Sequence, residues 1–394
     1  MLRNVSFIVL YMFHQVAYPI LVTRNFLILR VNCVCRRKVA TMSDIPADVI
    51  VYGILTRVPA KTAVQSKTVC KQWCALLCTR DFERAHSSQS SVPNDQRTLL
   101  LDDLSCHVHP MDFETGEYGP HSVLPLPFQG EKEVWILANL DGLLCVCLSQ
   151  THELLLWNPT TAAYRHLATP AGHGIYEDNA DTVGLYSDPS NDYNLLHLTR
   201  RSGVLAAHIY SRQQGNWRKI AFKTNPAYHT CKFCWSPATL CDGTLYFTIC
   251  ECWVVGRNVV IGFDTSTEQV TEISFPHVPS SGIFQGVLVT VRNSLHMVLW
   301  TGREYMSLSL WALQGQHWVR LLSTPAVPPI SLSLWMTITH YMTNGRFIMM
   351  RNSRKVFELR VDTKAVDCYY ACSWFRGYIG AVYAETLVSL FAVA

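Results

Sequence analysis

Leu156-Trp157-Asn158-Pro159-Thr160-Thr161 reads as an apolar strand that ends in a large residue and runs straight into a tight turn. The unit recurs at Met111-Asp112-Phe113-Glu114-Thr115-Gly116, at Tyr210-Ser211-Arg212-Gln213-Gln214-Gly215-Asn216-Trp217 and at Phe263-Asp264-Thr265-Ser266-Thr267. It returns at Trp311-Ala312-Leu313-Gln314-Gly315-Gln316-His317-Trp318 and at Val361-Asp362-Thr363-Lys364. The anchors Met111, Trp157, Tyr210, Phe263, Trp311 and Val361 lie 46, 53, 53, 48 and 50 residues apart, a mean of 50. Self-similarity at that period predicts an all-β propeller of about six blades. A second marker agrees: Asp141-Gly142, Asp242-Gly243 and Asn344-Gly345 open alternate units at spacings of 101 and 102, as tight hairpin turns do. The Asn or Asp of each repeat has a local task, because its side chain bonds nearby backbone N–H groups in the turn. Asn158, Asp264 and Asp362 therefore read as structural.

The chain has 394 residues, room for about two to three domains. Charged residues are 16%, against roughly 25% for an average domain, and apolar ones 49%, which excludes disorder for most of the length. Residues 1–41 carry Arg3, Arg24, Arg30, Arg36, Arg37 and Lys38 and no acid, a charge of +6. The remainder has 27 basic and 29 acidic side chains, so the footprint of a nucleic-acid binder is missing. The fifteen cysteines are not dense at this length, and their odd number leaves a thiol over, which fits a reducing compartment, cytoplasm or nucleus.

Residues 1–41 form a leader with three open readings. The uncharged stretch from Asn4 to Thr23 has 20 residues, enough to span a bilayer, but His14, Gln15 and Pro19 interrupt it. As a signal peptide it lacks a small-x-small cleavage site. In the third reading the leader is not translated and Met42 is the working start. A membrane role is disfavoured.

Beyond it, Ile45-Pro46-Ala47-Asp48 reads as a helix start, with Asp44 as cap and Pro46 in the first helical position. Ile50, Ile54 and Val58 recur at i, i+4 and i+8, with Val51 and Leu55 beside them, until Pro59 stops the helix. Thr68 to Leu77 carries a second stripe of Val69, Trp73, Leu76 and Leu77, and Cys70, Cys74 and Cys78 follow the same spacing as interior fill. Asp44 to His86 is only 43 residues, near the size below which a lone module buries too little surface, so its stripes call for an external partner.

The ordered series Ile45-Pro46, Ile54-Leu55, Val58-Pro59, Val69-Cys70-Lys71-Gln72-Trp73 and Phe82-Glu83-Arg84-Ala85-His86 resembles the F-box. The resemblance implies a three-helix module over residues 44–86 that docks on a Skp-type adaptor, and through it on a cullin and a RING subunit. Its adaptor-binding residues would be Ile45, Pro46, Ile50, Ile54, Leu55, Val58, Pro59, Val69, Cys70, Trp73 and Leu76. Two departures weaken the expected docking: Gly53 replaces the usual Glu, and Gln65-Ser66-Lys67 replaces an aromatic-basic segment. After a linker, 87–97, residues 98–392 resemble the F-box associated β-propeller of a kelch-like, plant-type family. Leu156-Trp157-Asn158-Pro159-Thr160-Thr161, Asn216-Trp217-Arg218-Lys219-Ile220, Ile261-Gly262-Phe263-Asp264-Thr265-Ser266-Thr267-Glu268 and Tyr383-Ala384-Glu385-Thr386-Leu387-Val388-Ser389 carry that likeness. In that fold Tyr378 to Phe391 would pair with the first unit and close the ring. The expected architecture is thus α+β and multidomain.

Catalysis has no visible seat. There is no phosphate loop, no H-E-x-x-H and no G-x-S-x-G, and Asp112, Asp264 and Asp362 fall on separate blades, too far apart for paired-carboxylate chemistry. Cys231-Lys232-Phe233-Cys234 has metal-ligand spacing but no second pair, and Cys145/Cys147 and Cys250/Cys252 share strand faces, so these thiols read as core. No cofactor or metal is expected. The expected function is that of a non-catalytic substrate receptor for a ubiquitin ligase, or of a non-ligase propeller scaffold if the F-box has drifted. The longest non-repeating loops, Gly172 to Asp181 and Phe222 to Trp235, offer Tyr176, Tyr228, Phe233 and Trp235 as residues for binding a target protein.

Overall fold

The computed structural model describes residues 47–89, 96–102, 107–112, 124–126, 134–148, 151–168, 181–188, 190, 192–201, 204–223, 233–235, 238–251, 258–277, 285–301, 307–324, 336–341, 346–351, 355–360, 363, 365–371 and 377–390. Two compact units emerge, one built from the N-terminal helices together with Glu385–Ser389, the other spanning Gln96–Ala384. The leader, with its three readings, and Asp44, Ile45 and Pro46 lie outside the described residues. Among the described residues no helix is long and apolar enough to cross a membrane.

Among the described residues the first unit holds four short α-helices where three were expected: α1 (Ala47–Gly53), α2 (Ala60–Ser66), α3 (Lys71–Leu77) and α4 (Arg80–Gln89), with a 3-10 turn at Leu55–Arg57. The helix expected to run through Val58 ends at Gly53, a poor helix former, and the chain tightens into the 3-10 turn, where Thr56 donates from Oγ1 to the Tyr52 carbonyl at 2.8 Å. Pro59, extended at ψ 143°, then opens α2, which the sequence reading missed. Ile50, Val51, Leu55, Val58, Ala60, Ala63, Trp73, Leu77 and Phe82 form the core.

The second unit is a set of antiparallel sheets, six among the described residues, five with four strands and one with five. Sheet 1 takes strands from both ends of the unit, Gly377–Ala384 beside Gln96–Asp102, then His107–Asp112 and Leu124–Pro125. Arg97 is opposite Tyr383 in that pairing. Sheet 2 runs Val134–Leu140, Leu143–Leu148, Leu154–Asn158, Ala163–Leu167, and sheet 3 Asp181–Ser187, Tyr193–Arg201, Val204–Ser211, Asn216–Ile220. Sheet 4 is Phe233–Trp235 and Thr239–Cys241, both on Thr244–Glu251, then Val259–Asp264 and Val270–Ser274. Sheet 5 is Gln285–Val291, Ser294–Thr301, Ser307–Gln314, His317–Ser323, and sheet 6 Met336–Tyr341, Arg346–Arg351, Lys355–Arg360, Ala365–Ala371. The first strand of each sheet contacts that of the next, from sheet 1 through sheet 6 and back to sheet 1, with Thr239–Cys241 serving for sheet 4. This is a propeller-like arrangement.

The repeat anchors occupy one structural position. Met111, Trp157, Tyr210, Phe263 and Trp311 all lie on the third strand of their sheets, and Val361 falls just past it, outside the described residues. Asp141-Gly142 (φ 48° and 76°) and Asp242-Gly243 (φ 47° and 71°) are two-residue turns joining first and second strands, with the left-handed conformations such hairpins need. Arg292-Asn293 (φ 48° and 62°) does the same in sheet 5 without a glycine. Asn344-Gly345 and Asp362 lie outside the described residues.

The core sits between sheets. Leu143–Leu148 and Leu154–Asn158 are buried at every position, because neighbouring sheets cover both of their faces. The last strands of sheets 2 to 5 are mostly exposed or half-buried. Tyr186, Leu196, Leu198, Leu245, Phe247, Ile261 and Phe263 join sheets 3 and 4. Val260, Leu288, Leu295, Met297, Leu299 and Trp311 join sheets 4 and 5.

Candidate functional site

Helical periodicity puts the stripe residues of the first unit on one side, and packing decides which of them remain available. Ile50, Leu55, Val58 and Trp73 are 5%, 0%, 1% and 8% exposed, so these four are the interior of the module. Ile54, Pro59 and Cys70 are exposed and Val69 and Leu76 half-buried; Val49, not singled out from the sequence, is 54% exposed and Ile54 40%. The remaining two expected adaptor contacts, Ile45 and Pro46, lie outside the described residues.

Local hydrogen bonds fix this surface. Cys70 caps α3 by accepting the Trp73 N–H on Sγ at 3.4 Å. Thr79 Oγ1 accepts from the Phe82 N–H at 3.2 Å and donates to the Leu76 carbonyl at 2.7 Å, linking the end of α3 to the start of α4. His86, 1% exposed, donates from Nε2 to the Val58 carbonyl 2.9 Å away and so ties α4 to the turn before α2. In the sequence it stood as the last residue of the F-box series, with no sign of this contact. One expectation is corrected: Cys70, Cys74 and Cys78 are exposed thiols, not interior fill. Trp73 and Leu77, also four apart, occupy the buried side and turn the cysteines outward.

In the second unit, Tyr176 and Tyr228 lie outside the described residues. Phe233 and Trp235, expected in a loop, stand two apart on the first strand of sheet 4, opposite Glu251 and Ile249, and so share a strand face. That first strand is interrupted: three residues separate Trp235 from Thr239, whereas the partner strand has two between Tyr246 and Ile249. Cys145 and Cys147 are buried as expected, and burial pushes the Cys145 thiol up, away from nucleophilic or metal-binding chemistry. Among the described residues no group of three or more His, Cys, Asp or Glu is placed to hold a metal ion.

The turn Asn and Asp side chains work as structure. Asn158 accepts the Thr160 and Thr161 N–H groups at 2.9 and 3.3 Å. Asp264 accepts from Ser266 Oγ at 2.7 Å and from the Ser266 and Thr267 N–H groups at 2.8 Å, and these bonds hold its carboxyl down at about 2. Polar contacts the sequence did not reveal brace sheet 3 and tie it to its neighbours. Arg212 donates from Nε to Asp192 at 2.8 Å, both nearly buried, and its guanidinium stacks 5.0 Å from the Tyr193 ring. Tyr193 in turn donates to Asp141 of sheet 2 at 3.0 Å, and Arg218 of sheet 3 forms a two-pronged pair with Glu268 of sheet 4.

Fold and surface together define a protein in which a small helical module with exposed apolar side chains accompanies a propeller-like β unit. The chain belongs to the family of the F-box associated beta propeller domain, which matches residues 105–373, and it is an F-box protein with that associated domain. It is similar to an F-box protein of Arabidopsis thaliana, 27% identical over 263 residues, covering 64% of each chain. A putative F-box only protein of the same plant is 27% identical over 249 residues, 60% of this chain and 63% of the relative. An F-box/kelch-repeat protein, also from Arabidopsis thaliana, is 23% identical over 337 residues, 76% and 85% of the two chains. This chain thus spans just under two thirds of the length of the first two relatives.

Proposed function

We propose that this chain is the substrate-recognition subunit of an SCF-type ubiquitin ligase. The observation that carries the reading is the division of apolar residues in the helical module, where Ile50, Leu55, Val58 and Trp73 complete a core while Val49 and Ile54 remain in solvent. Exposed large apolar side chains on a module this small mark a surface meant to be covered. A Skp-type adaptor covers it in this reading, with Ile45, Pro46, Pro59 and Cys70 adding contacts, and bridges to the cullin and RING subunits. The second unit is a ring of six blades, closed by Gly377–Ala384 beside Gln96–Asp102, and it holds a target protein through Tyr176, Tyr228, Phe233 and Trp235, the last two on the first strand of sheet 4. The chain supplies no catalytic group. Ubiquitin transfer is accelerated by holding target lysines near the conjugating enzyme, an effect of local concentration and orientation. The working compartment is the cytoplasm, the nucleus or both.

The test is co-purification of the full chain with a Skp-type adaptor, beside a Val49→Asp/Ile54→Asp variant. Both positions are exposed, so the variant keeps its helical content. The expected result is binding by the parent and none by the variant. A folded parent that fails to bind replaces the ligase reading with that of a propeller scaffold whose F-box has drifted, with Gly53 and Gln65-Ser66-Lys67 as the cause.

A further inference from the structure

The helical unit is assembled from two stretches far apart in sequence. Leu387, 8% exposed, belongs to the same core cluster as Ile50, Val51, Leu55, Val58, Ala60, Ala63, Trp73, Leu77 and Phe82. The segment Glu385–Ser389 around it is grouped with the helices, not with the sheets, and forms no strand or helix of its own. The expectation that Tyr378 to Phe391 pairs throughout with the first repeat of the propeller therefore holds only as far as Ala384. Thr386 and Val388 are 8% and 3% exposed, and the Val388 N–H donates to Thr386 Oγ1 at 3.2 Å, a local bond that bends the segment. Val49 and Ile54 remain exposed with the tail in place, so the docked tail does not cover them.

A module of this length is short of core, and one leucine brought from outside it is a large share of what it buries. We infer that Glu385–Ser389 is a working part of the adaptor-binding module: an internal peptide seated in the helical core that holds the docking residues in their bound arrangement. Adaptor affinity then depends on a segment about three hundred residues away in the sequence. The inference rests on the adaptor reading above. Leu387 is a positioning residue, acting through α1, α2 and α3 without touching the adaptor. Removing it lowers the fraction of molecules with an ordered module, and apparent affinity falls by that fraction.

The experiment compares the full chain with Leu387→Ser, with Leu387→Met and with a chain ending at Ala384. Two quantities are read: affinity for a Skp-type adaptor, and amide hydrogen exchange over 47–89 and over the sheets. The expected result for Leu387→Ser and the truncated chain is faster exchange over 47–89, unchanged exchange in sheets 2–5, and adaptor binding weaker by about tenfold or more. Leu387→Met, which keeps the volume, restores both. Unchanged exchange over 47–89 in Leu387→Ser overturns the inference, and so does tighter adaptor binding, which would make the tail a shield. If the parent binds no adaptor, the ligase reading fails, and the exchange measurement alone decides whether the tail orders the helices.

Discussion

Gly184 lies on the first strand of sheet 3, where a Cβ would stand 2.7 Å from Ala238 Cβ and 2.9 and 3.1 Å from the two terminal carbons of Leu245. Carbon atoms rest at about 3.5–4.0 Å, so Gly184→Ala forces sheets 3 and 4 apart or Leu245 out of its rotamer. Neither gives easily: Ala238 has no side-chain torsion to adjust, and Leu245 is 1% exposed within the cluster joining the two sheets. Overpacking of this kind costs about 1–3 kcal/mol, against which the stiffer unfolded chain returns about 0.4–1 kcal/mol. The net loss is about 1–2 kcal/mol. For a unit of this size each kcal/mol moves the melting temperature by about 2–4 °C, so scanning calorimetry should show Gly184→Ala melting about 2–8 °C lower. Adding Leu245→Val opens the space that the new methyl needs, and the double variant should be less destabilised than the sum of the singles, by about 0.5 kcal/mol or more. A Gly184→Ala protein that melts at or above the parent temperature would refute the close approach of these sheets.

Other perturbations follow from the same physical accounting. Gly53→Ala meets nothing within 4 Å and removes a weak helix former from the exposed end of α1, so chemical denaturation of the helical unit should show a gain of about 0.5–1 kcal/mol, and a loss would argue that the turn to Leu55 needs glycine. Asp192→Ala removes the carboxylate paired with the buried Arg212 guanidinium and should cost about 3–5 kcal/mol by urea unfolding, while Asp192→Ala/Arg212→Met, which removes both charges, should recover part of that loss. Asp264 has a folded-state carboxyl held at about 2, below its unfolded value near 4, so its contribution to stability is complete above about pH 4 and disappears as pH falls through 2. Asp264→Asn should flatten the stability profile between those limits; a profile parallel to the parent's would remove Asp264 as the cause.

What the sequence revealed and what it hid divide by the range of the interactions. The Asn158 and Asp264 turns were legible because donor and acceptor lie within three residues of each other. The Asp-Gly turns were legible because glycine announces a left-handed backbone, and Arg292-Asn293 escaped notice by adopting the same conformation without one. Periodicity found the stripe of Cys70, Cys74 and Cys78 but could not say which way it faced, since Trp73 and Leu77 make an equally regular stripe and win the interior by size. Leu387 in the helical core and Arg212 on Asp192 are tertiary pairings without any local signature. Of the residues expected to meet an adaptor, packing separates Leu55, which fills the core, from Ile54 beside it, which does not.

That neighbouring pair carries a wider argument about where recognition can reside in such a chain. A motif read from sequence is dominated by residues whose identity is dictated by packing: Leu55, Val58 and Trp73 in the helices, Trp157 and Phe263 in the sheets, all of them 8% exposed or less. A residue confined on every side cannot also meet a partner. Sheet 2 sharpens the point, because Leu143–Leu148 and Leu154–Asn158 are buried at every position and can contribute only shape. In the proposed receptor, target choice comes from positions that packing leaves free, either the ends of the inner strands and their loops or the exposed last strands, where Val319 and Leu321 stand 39% and 51% exposed on His317–Ser323. In the proposed receptor, two chains with the same repeat anchors can therefore hold different targets: substitutions at Trp157 or Phe263 should lower the melting temperature, whereas substitutions at Phe233 and Trp235 should change target binding with little loss of stability.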